Sequence, residues 1–191
     1  MKKTKLAAFD LDGTLFDTRG VNFKSYQIAL HEQGYELDRE FYERECNGKY
    51  YKDYLPLLIP SPSAELMETI HRRKMELYPE CLDAARENTH LFSMIRAMRE
   101  EYYIALVTTA SARNCADILS YFRCGDLFDL ILTHNDVTKM KPDPQGYQKA
   151  MEHFGVRPQD TVIFEDSESG VEAGLRSGAC VLRVETFGND E

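Results

Sequence analysis

Apolar and polar positions fall into two regimes along the chain. Residues 5–9 (KLAAF) form a short apolar run that stops at Asp10, the pattern of a buried strand. From about Val21 to Pro79 the pattern becomes helical and rich in tyrosine and charge. NFKSYQIALHEQG reads as a helix closed by Gly34 just past its end. DREFYEREC and KYYKDYLPLL read as shorter helices, the second limited by Pro56. SPSAELMETIHRRKMELYP carries the strongest helical signal: Ser61 caps, Pro62 takes the first position, and Leu66, Ile70 and Leu77 recur at helical spacing.

From about residue 88 helix and strand alternate. LFSMIRAMREE, ARNCADILSYF, the stretch from Asp143-Pro144 to Gly155, and SGVEAGLRSG read as helices. YIALVT, DLILT, TVIFE and CVLRV read as strands. Such alternation implies right-handed crossovers and a mostly parallel sheet. The expected fold is therefore α/β: a doubly wound, Rossmann-like parallel core, with an all-helical cap inserted after the first strand. The expected boundaries are residues 1–15 with about 86–191 for the core and 16–85 for the cap.

Composition narrows the partners. The 191 residues are 43% hydrophobic and 29% charged, as suits a globular protein with a real core. The net charge of -9 opposes binding to nucleic acid or an anionic membrane. The five cysteines, Cys46, Cys81, Cys115, Cys124 and Cys180, are scattered and include no C-x-x-C pair, so they read as reduced thiols. The start MKKTKLAAFD is basic, but its apolar run is too short for a signal peptide. No stretch reaches membrane-spanning length. These features lead us to expect a cytoplasmic protein, a monomer or weak homodimer, with an acidic tail, ETFGNDE, that frays.

In an open parallel sheet, ligand chemistry gathers at the carboxyl ends of the strands. Asp10 ends the first strand, with Asp12 two residues on; Thr108 ends YIALV; Glu165 and Asp166 end TVIF. Lys141 lies in the loop beyond DLILT. Taken singly each has an ordinary explanation: a D-x-D turn, a satisfied core hydroxyl, close helix packing. Together they put several carboxylates and one lysine on one rim, an excess of negative charge that calls for a cation. Hard oxygen ligands suit Mg²⁺. Phosphoryl transfer would use every group present: a carboxylate nucleophile, a second carboxyl for the proton, and a lysine and hydroxyl for the phosphoryl oxygens.

With these motifs the sequence resembles the haloacid dehalogenase superfamily of phosphatases and phosphotransferases. The four motifs read AAFDLDGTL, IALVTTAS, KPDP and VIFEDSESGVEAG, in the family's order. The resemblance implies Asp10 as nucleophile, Asp12 as general acid/base, and Thr108 with backbone N–H groups near Thr109 as phosphoryl ligands. It implies Lys141 beside them, with Lys139 a rival that lacks the following proline. Mg²⁺ would be held by Asp10, the Asp12 carbonyl and Asp166, with Glu165 ligating directly or through water.

Within the family the closest likeness is to sugar-phosphate and phosphoglycolate phosphatases and to β-phosphoglucomutase. Lys74, in RRKMELY, matches a cap lysine that meets substrate phosphate, and Lys49 and Lys52 are further candidates against the alternative of a solvated KYYK face. Asn22 and Tyr51 depart from the mutase pattern. The expected activity is a Mg²⁺-dependent phosphohydrolase acting on a small phosphorylated metabolite. Inorganic pyrophosphatase and a β-phosphoglucomutase-like phosphotransferase are the alternatives among enzymes. A non-catalytic phosphate-binding or phosphoacceptor protein is the alternative of another class, and it has no need of Asp12.

Overall fold

The computed structural model describes residues 3–46, 49–185 and 187. The chain divides into two compact units, Met1–Asp17 with Arg86–Glu191, and Thr18–Ala85. In chain order the first unit opens with β1 (Lys5–Phe9) and β2 (Phe16–Asp17). The second unit holds α1 (Arg19–His31), α2 (Arg39–Phe41), α3 (Tyr51–Leu58) and α4 (Ala64–Leu77). The first unit then resumes with β3 (Arg86–Glu87), α5 (Thr89–Met98), β4 (Tyr102–Val107), α6 (Ala112–Tyr121) and β5 (Leu130–Leu132). It ends with α7 (Gln145–Phe154), β6 (Thr161–Glu165), α8 (Glu168–Arg176) and β7 (Cys180–Arg183).

Five strands form the expected parallel sheet in the order β5-β4-β1-β6-β7, flanked by helices. The central strand β1 is buried over Leu6–Phe9, which is why it reads as unbroken apolar sequence rather than as an alternating one. Phe9 stacks on Phe164 of β6 with ring centroids 4.4 Å apart and planes within 4°, contributing about 0.5–1.5 kcal/mol beyond area burial. Because the chain builds outward from β1 first through β4 and β5 and then through β6 and β7, the strand order reverses at β1. The switch point therefore falls at the carboxyl end of the strand that carries Asp10.

A second, two-stranded sheet was not legible in the pattern. β2 and β3 pair antiparallel, Phe16 with Glu87 and Asp17 with Arg86. Arg86 also donates to the buried Asp17 carboxylate at 2.8 Å. Two-residue strands carry no periodicity, so only tertiary pairing defines them.

The helical unit packs its own core around Tyr26, Leu30, Tyr54, Leu55 and Ile70. Three sequence expectations change here. Ser61 does not cap α4: its φ is 52°, whereas an N-cap needs extended backbone, and Ser63 takes the role by accepting from Leu66 N–H at 3.1 Å. Pro56 does not end α3, which runs on to Leu58. The carbonyl that Pro56 leaves without its helical partner belongs to Lys52, an exposed residue where water can serve. DREFYEREC is α-helical only over Arg39–Phe41 and widens into a π-type turn over Tyr42–Cys46. The helix closed by Gly34 forms as expected, with Gly34 at φ 81° and Tyr35 N–H returning to Leu30.

All five cysteines are free thiols, four of them buried. No helix among the described residues is long and apolar enough to cross a membrane. Of the tail expected to fray, residue 186 and residues 188–191 lie outside the described residues.

Candidate active site

Register brings the acids together. Phe9 pairs with Leu106 on one side and Phe164 on the other, so the next position, Asp10, stands beside Val107 and Glu165. Asp10 N–H donates to Phe164 O at 3.0 Å, extending the ladder one residue beyond β1. Asp10, Glu165 and Asp166 place carboxylate oxygens within 4.8 Å of one another. Asp10 and Glu165 are buried, Glu165 completely.

Lys141 reaches this cluster from the loop after β5. Its ammonium donates to Asp10 Oδ1 at 2.6 Å, Glu165 Oε1 at 2.5 Å and Val107 O at 2.9 Å. Those three acceptors use all three of its N–H donors. Lys139, the rival, is largely exposed and lies 3.8 Å from Asp143.

Glu165 is held as completely as Lys141. Its Oε1 also accepts from Tyr147 OH at 2.7 Å, and its Oε2 accepts from Ser167 N–H and Oγ–H at 3.3 and 3.2 Å. Four hydrogen bonds fill the acceptor capacity of one carboxylate. Space for that carboxylate comes from Gly170 in α8, where a Cβ would overlap it. Asp166 differs: it is half-buried, and its side chain accepts from Thr14 Oγ1 at 2.9 Å. It lies against Gly13, whose φ of 87° and missing Cβ let the D-x-D-G turn approach.

Burial pushes the Asp10 carboxyl up to about 8; Lys141 opposes this, while Glu165 and Asp12 add to it. Asp166 is also raised, first by burial. Burial works against the charge on Lys141, yet Asp10, Tyr147 and Glu165 hold its pKa well above the ordinary value. Three carboxylates thus face one ammonium, more negative charge than the buried setting tolerates. An all-oxygen donor set with that charge fits a hard divalent cation.

Thr108, directly after β4, is buried, and its hydroxyl oxygen accepts from Ala110 N–H at 3.0 Å. Its own proton can be donated to a ligand. Thr109 beside it is exposed. Asp12 is half-buried and its backbone bridges to Phe16. An open pocket is lined by Val107, Thr108, Thr109, Lys141 and Tyr147 among others.

The remaining candidates lie in the helical unit, each with a partner there. Lys74 is buried, donates to Asn22 Oδ1 at 2.7 Å and faces the Tyr78 ring at 4.8 Å. Lys52 pairs with Glu68 at 2.7 Å and Lys49 with Glu45 at 3.5 Å. Three residues of the acidic cluster were not singled out from sequence: Thr14, Tyr147 and Ser167. Thr14 and Ser167 stand beside motif acids, which is a signal; Tyr147 sits in an ordinary helical stretch and gives none.

A carboxylate cluster with one lysine thus stands at the switch point of a parallel sheet, where α/β proteins form their ligand sites. The chain belongs to the haloacid dehalogenase-like hydrolases, whose family model matches residues 7–184. Similar proteins include the phosphorylated carbohydrates phosphatase of Thermotoga maritima, 27% identical over 175 residues, covering 89% of this chain and 80% of the relative. Another is pyrophosphatase PpaX of Bacillus cereus, 25% identical over 195 residues, covering 95% and 83%. Among solved structures, CbbY from Rhodobacter sphaeroides in complex with xylulose-(1,5)bisphosphate matches with a TM-score of 0.80 at 24% identity. That match covers 96% of this chain and 87% of the other, a likeness of fold.

Proposed function

We propose that this protein is a Mg²⁺-dependent phosphohydrolase of small phosphomonoesters that works through an aspartyl phosphate on Asp10. The observation that carries the reading is the buried Asp10 carboxylate, fixed by Lys141 at 2.6 Å inside an acidic cluster. In this reading Asp10 attacks phosphorus in line, dividing one displacement into two. Asp12 protonates the departing oxygen and later takes the proton of the attacking water. The Thr108 hydroxyl and backbone N–H groups near Thr109 hold the phosphoryl oxygens, and Lys141 offsets charge on both phosphate and nucleophile. Asp10, the Asp12 carbonyl and Asp166 would hold Mg²⁺, which supplies charge neutralisation to the transferring group. We assign Glu165 to Lys141 rather than to direct ligation, because its acceptor sites are filled.

The helical unit is read as a cap that closes over substrate and excludes water. Lys74 is its candidate phosphate contact, in exchange for Asn22, with Lys49 and Lys52 secondary. The protein is read as cytoplasmic. Relatives named as a phosphatase of phosphorylated carbohydrates and as a pyrophosphatase support a phosphoester or phosphoanhydride substrate. An initial-rate screen of sugar phosphates, phosphoglycolate, nucleotides and pyrophosphate with Mg²⁺ tests the reading and ranks pyrophosphate against the esters. Absence of turnover on all of them, with Asp10→Asn indistinguishable from wild type, would leave a binding protein.

A further inference from the structure

We infer that Tyr147 is a positioning residue for this site, acting through Glu165 to aim the Lys141 ammonium at Asp10. The inference rests on the hydrolase reading and adds to it a residue outside the four motifs. Tyr147 is 1% exposed, and its hydroxyl donates to Glu165 Oε1 at 2.7 Å. That same oxygen takes the third N–H of Lys141. The other two go to Asp10 Oδ1 and Val107 O, so the orientation of the ammonium depends on where Oε1 stands.

Ser167 pins only the opposite oxygen, through Oε2. Without the tyrosine hydroxyl, Lys141 alone would fix Oε1, and carboxylate and ammonium could turn together. The backbone is arranged to bring the hydroxyl there. A Cβ at Gly146 would stand 2.9 Å from Val107 Cγ1, so α7 lies tight against the end of β4. The next residue then reaches under the lysine, with its ring 5.2 Å from Nζ. A tyrosine serving only as core filler would need its ring among Leu6, Ala8 and Ala150, but not a hydroxyl shared with the lysine's own acceptor.

The test is a double-mutant cycle of Tyr147→Phe and Glu165→Gln in the Mg²⁺-loaded protein, using the ester turned over fastest in the screen. Tyr147→Phe keeps the ring and is expected to lower kcat about tenfold, the kinetic equivalent of one hydrogen bond to a charged group. KM is expected to stay within about twofold, as is the Kd of the metal-free protein for Mg²⁺ by calorimetry. In the Glu165→Gln background the same change should cost less than about twofold, because the residue it acts through is already altered. If Glu165→Gln leaves no measurable rate, the kcat-against-KM split of Tyr147→Phe decides alone: a fall in kcat at unchanged KM and Mg²⁺ affinity supports the inference. An unchanged kcat overturns it, as does a loss confined to KM or Mg²⁺ affinity, or one equally large in both backgrounds. A wild type inert toward every ester and toward pyrophosphate overturns the hydrolase reading, and this role with it. An active wild type matched by Tyr147→Phe overturns the tyrosine's role alone.

Discussion

Gly170→Ala adds one methyl group at a position where the structure has no room for it. The new Cβ would overlap the Glu165 carboxylate, which is wholly buried and held by Lys141, Tyr147 and Ser167. Either that carboxylate moves or the start of α8 does. If it moves, at least two hydrogen bonds to a charged group are lost, at about 1.5–3 kcal/mol each. Alanine's better helix propensity returns about 1 kcal/mol. The net loss is then about 2–5 kcal/mol, which for a chain of this length lowers the melting temperature by about 4–20 °C. Gly125→Ala is the control, since its Cβ would meet only Leu119 Cβ, at 3.9 Å. Thermal unfolding followed by circular dichroism on the metal-free proteins measures both. A Gly170→Ala protein melting within about 2 °C of wild type, or above it, would refute the tight seating of Glu165.

Three further outcomes are expected. Asp12→Asn should slow turnover by about 10²–10⁴-fold while leaving Mg²⁺ affinity near wild type, whereas Asp166→Asn should weaken Mg²⁺ binding by calorimetry; equal losses of affinity would sink the assignment of Asp12 as acid/base. Ser63→Ala should destabilise the protein by about 1 kcal/mol in urea, and Ser61→Gly should stabilise it by about that much by relieving a positive φ; the reverse ranking would return the cap to Ser61. His71 stacks on Tyr51 at 3.9 Å and bonds Tyr26 OH at 2.8 Å, and burial, then Lys74, hold its pKa below the usual value. The unfolded chain then takes up the proton more readily, so this contribution is full above about pH 6.5 and is lost as pH falls below it. The urea midpoint should drop from pH 7.5 to 5.5 less steeply in His71→Phe than in wild type; identical slopes would contradict it.

How much of this was legible follows from where the information lies. The sheet could be read to within a residue or two because strands such as β1 and β6 are enclosed, and enclosure writes itself as unbroken apolar runs. The helical unit was harder. Its caps and turns depend on backbone conformation, as at Ser61 and at the π-type turn of Tyr42–Cys46, and residue type constrains that only weakly. Within the acidic centre, Asp10, Glu165 and Asp166 stand at strand ends, so reading the strands placed them. Lys141 was separated from Lys139 by the proline that follows it, and the structure puts Lys141 in the cluster. Tyr147 had no such marker, since a tyrosine on the buried face of a helix looks the same whether its hydroxyl has work or merely a partner.

The cluster also explains why a single lysine suffices where several acids meet. Lys141 has three donors, and they go to one carboxylate on β1's end, one on β6's end and one carbonyl on β4, so it ties three adjacent strands at the rim. The sheet's own spacing of about 4.8 Å between strands sets the distance that one ammonium can bridge. Glu165 thereby becomes the fixed counter-charge of the lysine, locked by its four hydrogen bonds. One ammonium cannot balance the two remaining carboxyls, Asp10, which shares it, and Asp166, and burial raises both. A cation placed there would complete the balance without competing with Lys141 for Glu165. Lys141 acts on Asp10 and Glu165, and a cation there would act on Asp10 and Asp166, so Asp10 is the member the two would share.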